Sequence, residues 1–270
     1  MPQRPAAVAG QFYPGDAAGL RATVQGLLQQ APAPAPAPAA APVKALIVPH
    51  AGYVYSGPIA ATAYARLAAQ RGTIRRVVLL GPAHRAWTEG LAAPAAEAFG
   101  TPLGPVPVDR AAIDSLRRLP QVHIDDRPHA LEHSLEVQLP FLKETLGDFA
   151  LVPLVVGEAR AADVAAALEL LWGGPETIIV VSSDLSHYHS YAVARERDAE
   201  TCEAILELQT LKNHDQACGA TPVNGLTLAA RKRGLTPELL DLRNSGDTAG
   251  DHQRVVGYAA FAYTETPDDR

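Results

Sequence analysis

The chain has 270 residues, 47% of them hydrophobic and 19% charged, with a formal net charge of -6 and an isoelectric point near 5.8. This balance excludes a disordered or fibrous chain and fits a soluble globular protein long enough for one large α/β domain. The mild acidity supplies no basic face for nucleic acid or anionic lipid, and no run of about 18 apolar residues marks a membrane span.

The first residues, MPQRPAAVAGQFYPGD, are broken by proline, glutamine and glycine and lack the apolar core of a secretion signal, so the expected location is the cytoplasm. Residues 16–30, DAAGLRATVQGLLQQ, read as a helix. Residues 31–42, APAPAPAPAAAP, alternate with proline, which neither continues a helix nor donates to a sheet, and predict an extended, exposed loop. About 30 preceding residues are too few for a core of their own, so residues 1–270 are expected to form a single domain. From residue 43 onward, apolar runs alternate with helix-like segments. VKALIVP, RRVVLLG, ALVPLVVG, TIIVVSS and RVVGYAAFAY are mostly uninterrupted, as in strands covered on both faces. Residues 58–71, 109–119, 132–146, 160–172 and 192–208 space their apolar residues as helices do. The predicted fold is a three-layer α/β/α sandwich with a central, mostly parallel sheet.

Three of these strands run into histidine: ALIVPH ends at His50, VVLLGPAH at His84 and TIIVVSSDLSH at His187. In open α/β sheets the C-terminal strand ends and the loops after them form the ligand crevice. Imidazoles converging there suit a divalent metal or a proton shuttle. The chain has no HExxH, GxSxG or phosphate-loop motif. Ser182, Ser183 and Asp184 read as turn caps or as groups that orient ligands. In EHSLEVQLPFL, Glu132 and Glu136 read as first-turn acids favoured by the helix dipole, with His133 a candidate to face the crevice. His123, His129 and His214 lie in polar stretches and are expected at the surface. The loop RNSGDTAGDHQR offers Asp247, Asp251 and His252 as groups that complete a site or simply form a solvated turn. Cys202 and Cys218 read as buried, reduced thiols.

The segments RPAAVAGQFYP, VPHAGYVYSG, GPAH, EHSLEVQLPFL, SSDLSHYHSY and the closing NSGD and GYAAF resemble the Memo family over essentially the whole chain. The resemblance implies a fold like that of the class III extradiol dioxygenases, non-haem iron(II) enzymes that open catechol rings. It carries the metal-binding role to His50 and His84 and the acid/base role to His187. In the animal Memo protein a cysteine stands in the loop before the last strand; here that position is Thr248, with Asp247 beside it. Asp247 would then supply the carboxylate of a two-histidine, one-carboxylate face. Tyr53, Tyr55, Tyr188 and His133 are the candidate substrate-lining groups. The implied metal is Fe(2+), with Zn(2+) or copper as alternatives, and the implied substrate a small aromatic. Bacterial and archaeal members often accompany a radical-SAM protein and a further family partner. Three functions follow: a dioxygenase-type oxidoreductase, a non-catalytic protein that binds a partner or peptide over the same crevice, or a metal-assisted step linked to the radical-SAM partner. Whether the chain is an enzyme is left open.

Overall fold

The computed structural model describes residues 2–32 and 41–265. The core of the Ala/Pro stretch, residues 33–40, lies outside the described residues. The strands are β1 (Gln3–Arg4), β2 (Val43–Val48), β3 (Arg76–Pro82), β4 (Leu91–Ala93), β5 (Ala98–Phe99), β6 (Val106–Pro107), β7 (Val122–Ile124), β8 (Ala150–Val156), β9 (Thr177–Ser182), β10 (His187–His189), β11 (Leu235–Asn244) and β12 (Val255–Glu265). The helices are α1 (Ala17–Gln30), α2 (Tyr53–Ala65), α3 (Arg110–Leu116), α4 (Arg127–Ala130), α5 (His133–Glu136), α6 (Leu139–Leu146), α7 (Ala161–Leu171), α8 (Tyr191–Leu206) and α9 (Ala220–Arg233).

The principal sheet runs β10-β12-β2-β9-β3-β8-β4-β7, with β11 also paired to β12. Its centre, β2-β9-β3-β8, is parallel, whereas β12 joins β2 antiparallel and β4 joins β8 antiparallel. Every residue of β2 and β9 is buried, as is every residue of β3 and β8 after the first. That explains why their sequences are continuous aliphatic runs: helices cover both sides, so alternation has no purpose. One helical group, α1, α2 and α6, packs together against β2 and β12; α7 and α9 pack together, with α9 also reaching β3 and β9. The result is a mixed α/β fold with a central sheet flanked by helices. Among the described residues no helix is long and apolar enough to cross a membrane.

Several predicted elements shift. The helix expected from residue 58 begins at Tyr53 and carries Pro58 inside it. Proline there cannot donate to the Val54 carbonyl, but Val54 is exposed, so water can serve that group. The helix expected over 132–146 divides into α5 and α6, because Pro140 near the start of α6 has no N–H to continue the ladder. Helix α9 and strand β11 have no counterpart among the elements expected from the sequence. Pro222 and Gly225 interrupt the helical reading of α9. Pro237 does the same to β11, which pairs on one side only, where proline is tolerated.

The adjacency β2-β9-β3 is what builds the site. Val48 pairs with Ser182 at the end of β2 and β9, and Leu80 pairs with Val181 near the end of β3. The segments that follow these strands, carrying His50, Asp184 and His84, therefore leave the sheet side by side.

Candidate metal centre

Three imidazoles meet beyond these strand ends. The ring centres of His50 and His84 are 5.1 Å apart, His50 and His133 5.4 Å, and His84 and His133 4.6 Å. One ligand atom from each falls within 4.8 Å of the others. His50 follows β2, His84 follows β3, and His133 opens α5, with Glu132 as its N-cap. Gly81 allows α5 to lie this close to β3: a Cβ there would stand 2.6 Å from Ser134 Oγ, the hydroxyl that donates to Pro82 O at 3.0 Å.

Hydrogen bonds set the ring tautomers. Ser182 Oγ donates to Ser134 O at 2.6 Å and accepts from Gln138 Nε2 at 2.8 Å. Its proton is thus committed, so His50 Nδ1, 2.9 Å away, is the donor to Ser182 Oγ and His50 Nε2 carries the unprotonated lone pair. His84 Nδ1 lies 2.8 Å from Glu132 Oε1, and a carboxylate only accepts, so here too Nδ1 carries the proton and Nε2 is free. A carboxylate behind a histidine is the usual outer partner of a metal-binding imidazole. His133 Nδ1 is buried and has no hydrogen-bond partner.

The electrostatics of His50 and His133 favour the neutral imidazole, the form that binds metal. Burial, reinforced by His84 and His133, pushes His50 well below the ordinary imidazole value. Burial also lowers His133, with Glu132 acting in the opposite direction. For Glu132, burial works against the charge. The His84 ring, the His84 N–H and the Ser134 N–H outweigh it and hold the carboxyl down to about 2. Asp184 Oδ1 accepts the His50 N–H at 2.7 Å, and burial raises that carboxyl above its usual range.

A family model described as "Memo-like protein" matches residues 4–262. The chain belongs to the Memo family. A "MEMO1 family protein" of Ignicoccus hospitalis is 37% identical, over 96% of this chain and 98% of that protein. A relative under the same family name from Methanopyrus kandleri is 35% identical, over 97% and 99%. The crystal structure of an uncharacterized protein from Escherichia coli K12 superposes with a TM-score of 0.52 at 15% identity, covering 81% of this chain and 99% of that one. At that identity it shows a shared fold.

Within the Memo-family frame the structure redistributes the expected site residues. His50 and His84 stand together, as the strand ends suggested, but the third member of the cluster is His133, which had been expected to line the substrate space. Asp247, the expected third ligand, is elsewhere. One of its oxygens accepts from Tyr191 Oη at 2.6 Å and the other from Asn244 N at 2.9 Å, closing the 3-10 turn Ser245–Asp247. Thr248 Oγ1 donates to Ser245 O in that same turn. Tyr53 is buried as the first residue of α2, its Oη donating to Val137 O at 2.6 Å, so it supports the core and does not line the cavity. Tyr55 is 39% exposed and also lies outside the cavity lining.

The histidines open into a cavity of about 700 Å3, lined by six of the nine histidines of the chain: His50, His84, His133, His187, His189 and His214. Strand β10 brings His187 and His189 there. Tyr188 between them has φ 63°, a left-handed conformation costly for a tyrosine, and a register shift in the β10–β12 ladder accompanies it. Tyr188 also lines the cavity. His187 Nδ1 lies 2.8 Å from Leu185 O; the carbonyl only accepts, so Nδ1 carries a proton.

Sequence reasoning missed four features. Cys218 is half-buried, not buried. Its Sγ lies 3.3 Å from His50 Nε2 and accepts from Asp184 N at 3.3 Å, and burial beside Asp184 pushes the thiol up to about 12. Gly219 permits this seat, since a Cβ there would be 2.7 Å from Ser183 Cβ. A single cysteine before a glycine carries no local signal of its distance to His50. His129, expected at the surface, is 1% exposed and donates from Nε2 to Ala92 O at 2.9 Å. Glu132, read as a helix-start acid, holds His84. Arg85 and Arg197 line the cavity, and no local pattern in the sequence sets either apart.

Proposed function

We propose that this Memo-family chain is a metal-dependent enzyme whose centre is His50, His84 and His133, in the manner of the class III extradiol dioxygenases. The observation that carries the reading is the pair of pinned tautomers. Ser182 and Glu132 each accept a hydrogen bond from the Nδ1–H of a histidine, leaving the Nε2 atoms of His50 and His84 as ligands within one cluster. Three imidazoles suit Fe(2+), Zn(2+) or copper, and the resemblance to the dioxygenases favours iron. When bound, such a metal would supply Lewis acidity and, as iron, redox chemistry with dioxygen.

The residues of the chain perform the remaining work. Glu132 fixes the plane of the His84 ring, and Ser182, itself held by Gln138 and Ser134, fixes that of His50. Asp184 ties the backbone at His50 to the end of β9. His187 Nε2 accepts a proton from a hydroxyl of a small aromatic substrate and returns it later in the turnover. Tyr188 and His189 form part of the wall around the substrate.

Anaerobic Fe(2+) titration tests the reading. Wild type is expected to take up one equivalent, and the H50A/H84A/H133A variant to bind at least a hundredfold more weakly. Uptake by the triple variant equal to that of wild type would overturn the metal centre. Oxygen consumption with a catechol panel then tests the reaction, and H187A is expected to keep the metal while losing turnover. A protein that binds metal but consumes no oxygen with any of the panel would favour the partner-binding alternative.

A further inference from the structure

The cavity carries charge that the metal ligands do not need. Arg85, next to His84, and Arg197, on α8, both line it. Most arginines in this protein are engaged: Arg4 with Glu136, Arg66 with Glu238, Arg76 with Asp109, Arg233 with Glu169. Among the described residues, neither the Arg85 nor the Arg197 guanidinium has a hydrogen bond or an ion pair, and both residues are exposed. Arg254 adds a third positive charge nearby, its guanidinium 5.0 Å from the ring centre of Tyr188. Two carboxylates also line the space. Asp184 is buried and occupied by the His50 N–H, which leaves Asp215 as the exposed acid.

A second cavity of about 830 Å3 adjoins the first through His84, His214 and Cys218. Its lining has the opposite balance. Among the described residues Glu89 and Glu158 carry no ion pair, and the lining arginine, Arg160, is bound to Asp163. In a chain with net charge -6, two unpaired guanidinium groups beside six histidines stand out from the acidic balance of the whole. Planar guanidinium groups with all their donors free are suited to carboxylate or phosphate oxygens.

We propose that the histidine cavity takes an anionic ligand, a small molecule bearing a carboxylate or phosphate group, whose charged oxygens dock on Arg85 and Arg197 while the rest of the molecule reaches His50, His84 and His133. The inference rests on the same cavity as the metal reading and narrows its substrate to acidic molecules. Arg85 and Arg197 are positioning residues: they hold the ligand and do not touch the reacting atoms.

Calorimetric titration of chelator-treated protein with inorganic phosphate, and separately with benzoate, tests it at constant ionic strength. Three proteins are compared: wild type, R85Q/R197Q, and R75Q/R118Q, whose arginines are equally unpaired but line neither cavity. Wild type and R75Q/R118Q are expected to bind at least one of the two anions saturably, with R85Q/R197Q at least tenfold weaker. A preference for phosphate would point to a phosphorylated ligand, and a preference for benzoate to an aromatic acid. Equal affinity in wild type and R85Q/R197Q, or no saturable binding of either anion by wild type, would overturn the inference. Fe(2+) uptake measured on the same three proteins keeps the two readings apart. Arginine-dependent anion binding without metal uptake sinks the metal centre alone. Metal uptake without arginine-dependent anion binding sinks the present inference alone.

Discussion

Glu132 and Glu136 sit four residues apart at the two ends of α5, both essentially inaccessible to solvent, yet they serve different parts of the molecule. Glu136 gathers the N-terminal segment. It pairs with Arg4, accepts the Ala7 N–H at 2.7 Å and the Val8 N–H at 3.0 Å, and accepts Tyr13 Oη at 2.6 Å. Glu132 accepts the His84 N–H at 2.6 Å, the His84 ring at 2.8 Å and the Ser134 N–H at 2.9 Å. One carboxylate is surrounded by donors whose only task is to be satisfied, and it holds the fold. The other spends a bond on an imidazole whose far nitrogen stays free, and it aims a ligand. Burial and residue type are equal, so the partner decides the role.

The largest expected effect that would break this contrast lies on the Glu136 side. Glu136→Gln leaves the buried Arg4 without a counter-charge and is expected to cost about 3–5 kcal/mol of unfolding free energy. Metal uptake per folded molecule should stay at the wild-type level. Urea denaturation followed by iron titration checks both, and a stable variant with weakened metal binding would erase the division between the two acids.

A second effect comes from His129, whose carbonyl accepts from Arg4 Nε. Burial, opposed by the Ala92 carbonyl and reinforced by Arg4, lowers its imidazole to about 4. A folded pKa below the unfolded value means that the unfolded chain binds the extra proton first. The stability is therefore intact above about pH 6.5 and declines as pH falls toward 4, by about 3 kcal/mol in all from this one group. His129→Gln should show a shallower decline than wild type over that window in denaturant melts at stepped pH. Identical slopes would remove His129 from the account.

Smaller still is the change at Glu132. Glu132→Gln keeps the shape but loses the obligate acceptor for His84 Nδ1, and metal affinity is expected to fall by about 10- to 100-fold. The accompanying loss of stability should be smaller than for Glu136→Gln. Competition with a calibrated chelator measures it, and unchanged affinity would sharpen the contrast in an unexpected direction by making Glu132 purely structural. At the bottom of the scale, Asp247→Ala should leave metal affinity within about twofold of wild type, since its carboxylate is engaged by Tyr191 and Asn244 and lies outside the cluster.

Much of the scaffold was legible from local pattern. Continuous aliphatic runs identified β2, β3, β8 and β9 as strands covered on both faces, and each run ended on proline, glycine or serine where the crevice begins. His50 and His84 followed from that alone, because a strand end and its parallel neighbours must open at the same edge of the sheet. The division of residues 132–146 into two helices was signalled by Pro140, although the apolar spacing masked it. Helix α9 and strand β11 were not legible, since Pro222, Gly225 and Pro237 break the periods on which pattern reading depends.

By itself the sequence determined the element types at the centre of the sheet, the histidines just past β2 and β3, and membership of the Memo family. Those are consequences of spacing a few residues apart or of similarity along the whole chain. Only the tertiary structure decided that His133 and not Asp247 completes the cluster, that Cys218 lies beside His50, and that Arg85 and Arg197 face the same cavity. Each is a meeting of segments dozens of residues apart, set by the strand order β2-β9-β3 and by the docking of α5 against Gly81. An acid at a helix start looks the same in sequence whichever group it will hold. What separates Glu132 from Glu136 is the neighbour the fold delivers.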